Sequence, residues 1–485
     1  MNMKNINIFF GIILLSLATI SCNKNEEPTI SKEALSVNEF VLEYMDYFYL
    51  WTDKIPADLD PKSTEDSKEF FNKVVYNGTE DTYDQDIEAN RNGDRWSFIT
   101  DDLQGLLDYF NGVRTTAGYM PYAYLAEEGS DKLVLVVKYV YANSPASAVG
   151  LKRGSIIMEI DGKDLTNENI NDLFKQESYE ITLGTFDENT GKFSLTNKTE
   201  TITKKEIHTN PIIKSEIYNI NGTKIAYLLY NSFIHKYDNF LITEFEKFKA
   251  EGVTELVLDL RYNGGGAVSS AINIASMIAP KEAIGSVFLK KEYNSSLQKL
   301  YLEDPRYGEE YLQDRLSDKA TGYKDDGVLG TSLTNLNLNR VYVIGLNGTA
   351  SASELVINGL RPYMTVVTVG GDTHGKYTAS TTFQSKEYTN WAIQPIIFKS
   401  SNADGETDYW NGFPATIKVR DQPITGDFGY DETSKTGEEM LIAALNDISG
   451  VTAKKEKEQI AKYEVKKIPV ENAKLNTTMI YDINQ

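Results

Sequence analysis

"RVYVIGLNGTASASELVINGLRPYMTVVTVG", residues 340–370, holds an apolar run, a loop of small residues, a stretch of helical periodicity and a second apolar run. Two strands joined through a helix predict a parallel crossover, since adjacent antiparallel strands need only a short turn. The alternation extends toward the amino terminus. "KIAYLLYNSF" is followed by "DNFLITEFEKFKAEG", and "ELVLDLR" by "AVSSAINIASMI". Residues 208–450 therefore read as an α/β domain with helices on the faces of a parallel sheet. Loops leaving the carboxyl ends of such strands share one edge, where ligands bind. Three loops meet that condition: "YNGGG" (262–266), "NGTAS" (347–351) and "GDTHGK" (371–376).

The middle loop offers three hydroxyls, Thr349, Ser351 and Ser353. Ser351 with Glu354 forms an S-x-x-E capping box, which needs no chemistry. The same serine sits where a helix dipole and the free N–H of Ala352 favour a growing negative charge, so cap and nucleophile do not exclude each other. Glycines 264–266 can present backbone N–H groups that no side chain obstructs, or can simply make a tight turn. A base must take the serine proton. His208 and His235 lie in other loops with no carboxylate pattern beside them, and His374 would point the same way as Lys376 on an extended strand. Lys376 is the better candidate, provided burial lowers its pKa by about 3 units. "GGDTHGKY" also matches a phosphate-binding G-x-x-x-x-G-K. Tyr377 stands where Mg²⁺ needs Ser or Thr, and the strand-like "KYTASTTFQS" stands where a helix is required, so nucleotide binding is not expected.

The whole chain has 485 residues, 41% of them hydrophobic, and a formal charge of −21, which argues against nucleic acid as a partner. "MNMKNINIFFGIILLSLATISC" reads as a secretion signal over residues 1–22, and "LATISC" resembles the lipobox of bacterial lipoproteins. Cys22 is the one cysteine, and is expected to be the lipidated residue that anchors the protein to a membrane. Residues 23–34 read as a flexible tether, and their early acids resemble surface-export signals of some Bacteroidetes lipoproteins. Residues 35–115 carry helical patterns, "VNEFVLEYMDYFYLW" and "DSKEFFNKVVYNG", with no catalytic constellation. "EANRNG" (88–93) starts like a calcium loop but has Ile99 at its twelfth position, so no metal is expected there. Residues 116–207 turn to strands. There, "NSPASAVGLKRGSIIMEIDGKDL" resembles a PDZ domain, which captures a peptide tail as an added strand. Its carboxylate loop would be Gly118-Tyr119-Met120, lacking the family's second glycine. Residues 288–338 read as a polar surface excursion, and 451–485 as a charged helix and tail.

"TASASE", "LDLRYNGGG" and "GDTHGK" together resemble the three motifs of the S41 family, the carboxyl-terminal processing peptidases, over about residues 116–450. The stretches "YLWTDKIP" and "DRWSFI" are similar to the amino-terminal region of Bacteroidetes lipoprotein members. The resemblance implies a crotonase-like (ClpP/crotonase-type) catalytic domain joined to a PDZ domain and preceded by a helical domain. It also implies a Ser351–Lys376 dyad, an oxyanion hole from the N–H groups of Gly266 and Ala352, and no metal or organic cofactor. The family's first serine is Thr349 here, and a glutamine often found four residues after the lysine is Ser380. The expected protein is a serine endopeptidase of the bacterial envelope. It would be an outer-membrane lipoprotein facing periplasm or cell surface, acting on carboxyl-terminal tails or unfolded segments. The alternative is a catalytically silent PDZ lipoprotein that binds peptides, and an esterase or amidase would have no use for the PDZ module.

Overall fold

The computed structural model describes residues 30–76, 93–127, 129–324, 327–450 and 479–480. The leader with Cys22, most of the tether, residues 88–92 of the calcium-like stretch and residues 451–478 of the tail lie outside these.

The crossover predicted from residues 340–370 forms as expected. Strand Arg340–Gly345 runs parallel to Thr365–Gly370, with helix Ala352–Leu360 between them. Strands Thr223–Tyr230 and Glu255–Asp259 continue the parallel set on one side and Ile417–Lys418 on the other, while Ile212–Ile220 closes the first edge antiparallel. Strand period 2 buries both faces. Leu256 and Leu258 join the core under helices Asp238–Ala250, Val268–Ile278 and Ala352–Leu360, whereas Val257 faces the opposite layer, built on Met440, Leu441 and Ala444 of helix Glu439–Ser449. Every residue of Val268–Ile278 is buried, so this helix is central, not amphipathic.

The amino-terminal helices Lys32–Phe48 and Ser67–Val74 share that same core through Val37, Val41, Phe70 and Phe71. Strand Phe98–Thr100 pairs with Ala392–Gln394, so this region is fastened to the α/β unit by backbone as well as by packing. Residues 119–203 form a separate six-stranded antiparallel sheet with its own core around Leu135, Ile157 and Ile181. Its flanking strands, Val113–Thr116 and Lys205–His208, pair antiparallel where the chain enters and leaves.

Residues 288–338 do not form the expected surface excursion. Strand Val287–Tyr293 pairs with Ile396–Ser401 inside a second sheet, and Phe288, Leu289, Leu297 and Leu316 are buried in the main core. Lysines hid this: Lys291 is buried against Asp314 at 3.2 Å, although its charge reads as solvent-facing. The second sheet runs Gly266–Ala267, Met479–Ile480, Thr378–Ser380, Ile396–Ser401, Val287–Tyr293, Gln313–Arg315. Among the described residues no helix is long and apolar enough to cross a membrane.

Candidate active site

Because strands Glu255–Asp259, Arg340–Gly345 and Thr365–Gly370 are adjacent and parallel, the three loops of interest leave one edge side by side. The glycine loop and the serine loop touch. A Cβ on Gly265 would lie 2.7 Å from the Ser351 Cβ and 3.1 Å from the Ala352 nitrogen, and with φ at +111° only glycine suits the position. Asn263 pins the contact: its carbonyl accepts from Ala350 N–H at 3.1 Å and from the Ser353 hydroxyl at 3.0 Å, while its side-chain oxygen accepts from Gly265 N–H at 2.9 Å. Below the loop, the fully buried Arg261 is clamped between Asp259 and Glu438 at 2.7 Å each.

The three hydroxyls now separate. Thr349 donates to the Leu260 carbonyl at 2.8 Å and Ser353 to Asn263, so both brace the loops. The Ser351 hydroxyl is buried with no hydrogen-bond partner. The expected capping box is laid out, with Glu354 accepting the Ser351 N–H at 3.0 Å and the Ser351 side chain set toward the Glu354 N–H, but that second arm falls short of a hydrogen bond. Ser351 also has φ +63° and ψ −116°, a conformation that costs a non-glycine residue about 1–3 kcal/mol. An unsatisfied hydroxyl on a strained backbone is retained against its cost.

Sequence reasoning missed the part Glu354 plays beyond the cap. Its carboxylate is buried and accepts four hydrogen bonds: Thr373 hydroxyl at 2.6 Å and Gly375 N–H at 2.7 Å on Oε1, Lys376 N–H at 2.8 Å and Ser351 N–H at 3.0 Å on Oε2. One oxygen thus holds the backbone of both candidate dyad residues. Burial pushes Glu354 up to about 7, and those four donors oppose the shift. The S-x-x-E spacing was the available signal, and helix capping explained it too readily.

Lys376 is buried, with its ammonium 5.6 Å from the Trp96 ring centroid. Burial lowers its pKa to about 7, against the opposing pull of Asp94 and Glu354. Asp94 is itself buried and held by Trp96 N–H at 2.8 Å, Ser97 N–H at 3.0 Å and the Tyr49 hydroxyl at 2.9 Å. The "DRWSFI" stretch therefore roofs the lysine, which the aromatic pattern of residues 35–115 did not disclose. The expected extended strand through His374 and Lys376 is absent, as strand structure begins only at Thr378. The His374 ring nitrogen Nδ1 lies 3.2 Å from the Asn347 carbonyl. The Ser380 hydroxyl accepts from Gln394 at 3.1 Å.

The remaining sequence candidates lie elsewhere. Gly118, with φ +86°, packs on Ser144. Tyr119 and Met120 begin the edge strand Tyr119–Leu125, and the Tyr119 ring is buried with its hydroxyl 3.2 Å from that of Tyr179, leaving only its backbone for a ligand. Cys22 is outside the described residues.

A buried serine hydroxyl without a hydrogen-bond partner, and a buried lysine that can be neutral near pH 7 whose backbone N–H shares a Glu354 oxygen with that serine's, are the groups from which serine hydrolase chemistry is built. Two family models match the chain, Peptidase family S41 over residues 224–419 and the Peptidase S41 N-terminal domain over residues 36–98. The chain belongs to peptidase family S41 and has its mixed α/β fold. It is 24% identical over 319 residues to the carboxy-terminal processing protease CtpA of Bacillus subtilis, covering 64% of this chain and 59% of that one. It is also 24% identical over 251 residues to a CtpA-like protein of Staphylococcus aureus, covering 50% and 42%. The chain thus spans less than two thirds of these relatives' own lengths. The crystal structure of an S41-family protein from Bacteroides fragilis matches at TM-score 0.67 and 25% identity, over 85% of this chain and 97% of that one.

Proposed function

We propose that this protein is a serine endopeptidase working through a Ser351–Lys376 dyad. Neutral Lys376 takes the proton from the Ser351 hydroxyl as its oxygen attacks a peptide carbonyl. The N–H groups of Gly266 and Ala352 receive the oxyanion, and the Lys376 ammonium returns the proton to the leaving amine. Water then hydrolyses the acyl-enzyme with the same lysine as base. The observation that carries this reading is the division of labour in "TASAS": Thr349 and Ser353 are spent on backbone carbonyls, and Ser351 alone is left without a partner.

The catalytic unit is read as crotonase-like, with residues 116–207 as a PDZ module that captures substrate tails. Support for the PDZ reading comes from helix Pro145–Ala148 capped by Ser144, strand Ile156–Ile160, and a hairpin turn with positive φ at both Asp161 and Gly162. Strand Tyr119–Leu125 stands at the edge of its sheet, where a peptide strand can be added. Export, lipidation of Cys22 and residence in the bacterial envelope rest on the leader sequence.

A fluorophosphonate probe and an unfolded protein substrate test the proposal together. Wild type should be labelled and should degrade the substrate. Ser351→Ala and Lys376→Ala should do neither while remaining folded. Full turnover by Ser351→Ala would overturn the mechanism, and turnover of a simple ester without any of the unfolded protein would favour a small-molecule hydrolase.

A further inference from the structure

Strand Gly266–Ala267 and strand Thr378–Ser380 belong to one sheet, yet they do not pair with each other. Between them lies Met479–Ile480, parallel to both, with Met479 opposite Gly266, and Ile480 opposite Ala267 and Ser380. The two flanking strands are the continuations of the two loops that carry the candidate chemistry. One contains Gly266 itself, and the other begins two residues after Lys376.

The edge that Met479 occupies can be identified from the backbone. Gly265 gives its carbonyl, and Ala267 its N–H, to Phe233 at 2.9 Å each. Alternation along an extended strand then turns the Gly266 N–H and C=O the other way, toward Met479. The N–H assigned above to the oxyanion therefore lies on the same edge as this strand. Ser351 and Lys376 are both buried in this arrangement.

We propose that the slot between Gly266–Ala267 and Thr378–Ser380 is the substrate track, that it takes an extended peptide parallel to both walls, and that Met479–Ile480 is its intramolecular competitor. This rests on the peptidase reading of the Ser351 site and specifies how its substrate lies. Recognition is by main-chain pairing, which tolerates varied side chains and suits substrates presented as unfolded segments. A segment tethered in the same chain competes at a high effective concentration, so its departure is the step that admits substrate.

The test uses the full chain carrying Ser351→Ala, so that binding is read without chemistry. A fluorescent synthetic peptide of residues 474–484 is titrated into this protein and into the same protein with Met479→Pro and Ile480→Pro, which removes two backbone N–H donors from the strand. Saturable binding at least about tenfold tighter to the proline variant is expected. Equal binding to both proteins, or binding to neither, would overturn the proposal. Hydrogen exchange on the unaltered protein provides a second readout that needs no variant. The fragment spanning Met479–Ile480 should be protected and should lose protection when excess peptide is added, whereas exchange at the unstructured rate would overturn the proposal. If binding behaves as expected but no probe labels Ser351 in the wild type, the track stands and the dyad fails.

Discussion

Replacing Lys376 by Met should stabilise the protein while abolishing its activity, and the gain should depend on pH in a defined direction. The lysine is buried, and its pKa falls from 10.5 to about 7 on folding. Between about pH 7 and 10.5 the unfolded chain binds the proton that the folded chain releases. Stability therefore rises with pH across that window, and the full cost is present below it. At 1.36 kcal/mol per unit, that cost is about 5 kcal/mol near and below pH 7 and vanishes above pH 10.5. Methionine removes it, but loses a polar contact made by the lysine nitrogen, about 1 kcal/mol. The variant should be more stable than wild type by about 4 kcal/mol at pH 6, and less stable by about 1 kcal/mol at pH 10.5, where the folded lysine is already an uncharged amine. Denaturant midpoints measured at pH 6, 8 and 10.5 supply the comparison. A variant destabilised equally at all three would refute a lysine held neutral by burial.

Three further outcomes follow from the site. Glu354→Gln places an amide against N–H donors and strands at least one of them, so kcat should fall by about a hundredfold or more; because the carboxylate raises the lysine pKa, the residual pH–rate profile should move to lower pH. An unmoved profile would confine Glu354 to packing. Gly265→Ala would drive a Cβ to 2.7 Å from the Ser351 Cβ, and kcat should fall while peptide KM changes little. Ser353→Ala leaves Asn263 one donor short but spares the nucleophile, so probe labelling should persist, with a stability loss of about 1 kcal/mol in chemical unfolding.

How much of this could be read from residues alone differs by element. The parallel sheet was legible because strands buried on both faces leave continuous apolar runs such as "RVYVIGL", and glycines and hydroxyls at their carboxyl ends mark the rim. The choice among Thr349, Ser351 and Ser353 was not, since all three are small hydroxyls and their partners, Leu260 and Asn263, lie about ninety positions away. The environment that sets the Lys376 pKa was hidden for the same reason. Trp96, which packs over the buried ammonium, and Asp94, whose charge opposes the lowering, come from the amino-terminal region, and nothing in "DRWSFI" signals a contact across nearly three hundred residues. Residues 288–338 misled in the opposite sense, because Lys290 and Lys291 mask a strand whose apolar neighbours are in the core.

The rate at which a fluorophosphonate acylates the wild type, followed from pH 5 to pH 10 with the adduct located by mass spectrometry, tests the central claim most directly. A single adduct on Ser351 is expected, with a rate that rises with pH to half its plateau near pH 7, where Lys376 loses its proton. An adduct on Ser353, or a rate still climbing toward pH 10 as an ordinary exposed lysine would require, would contradict it.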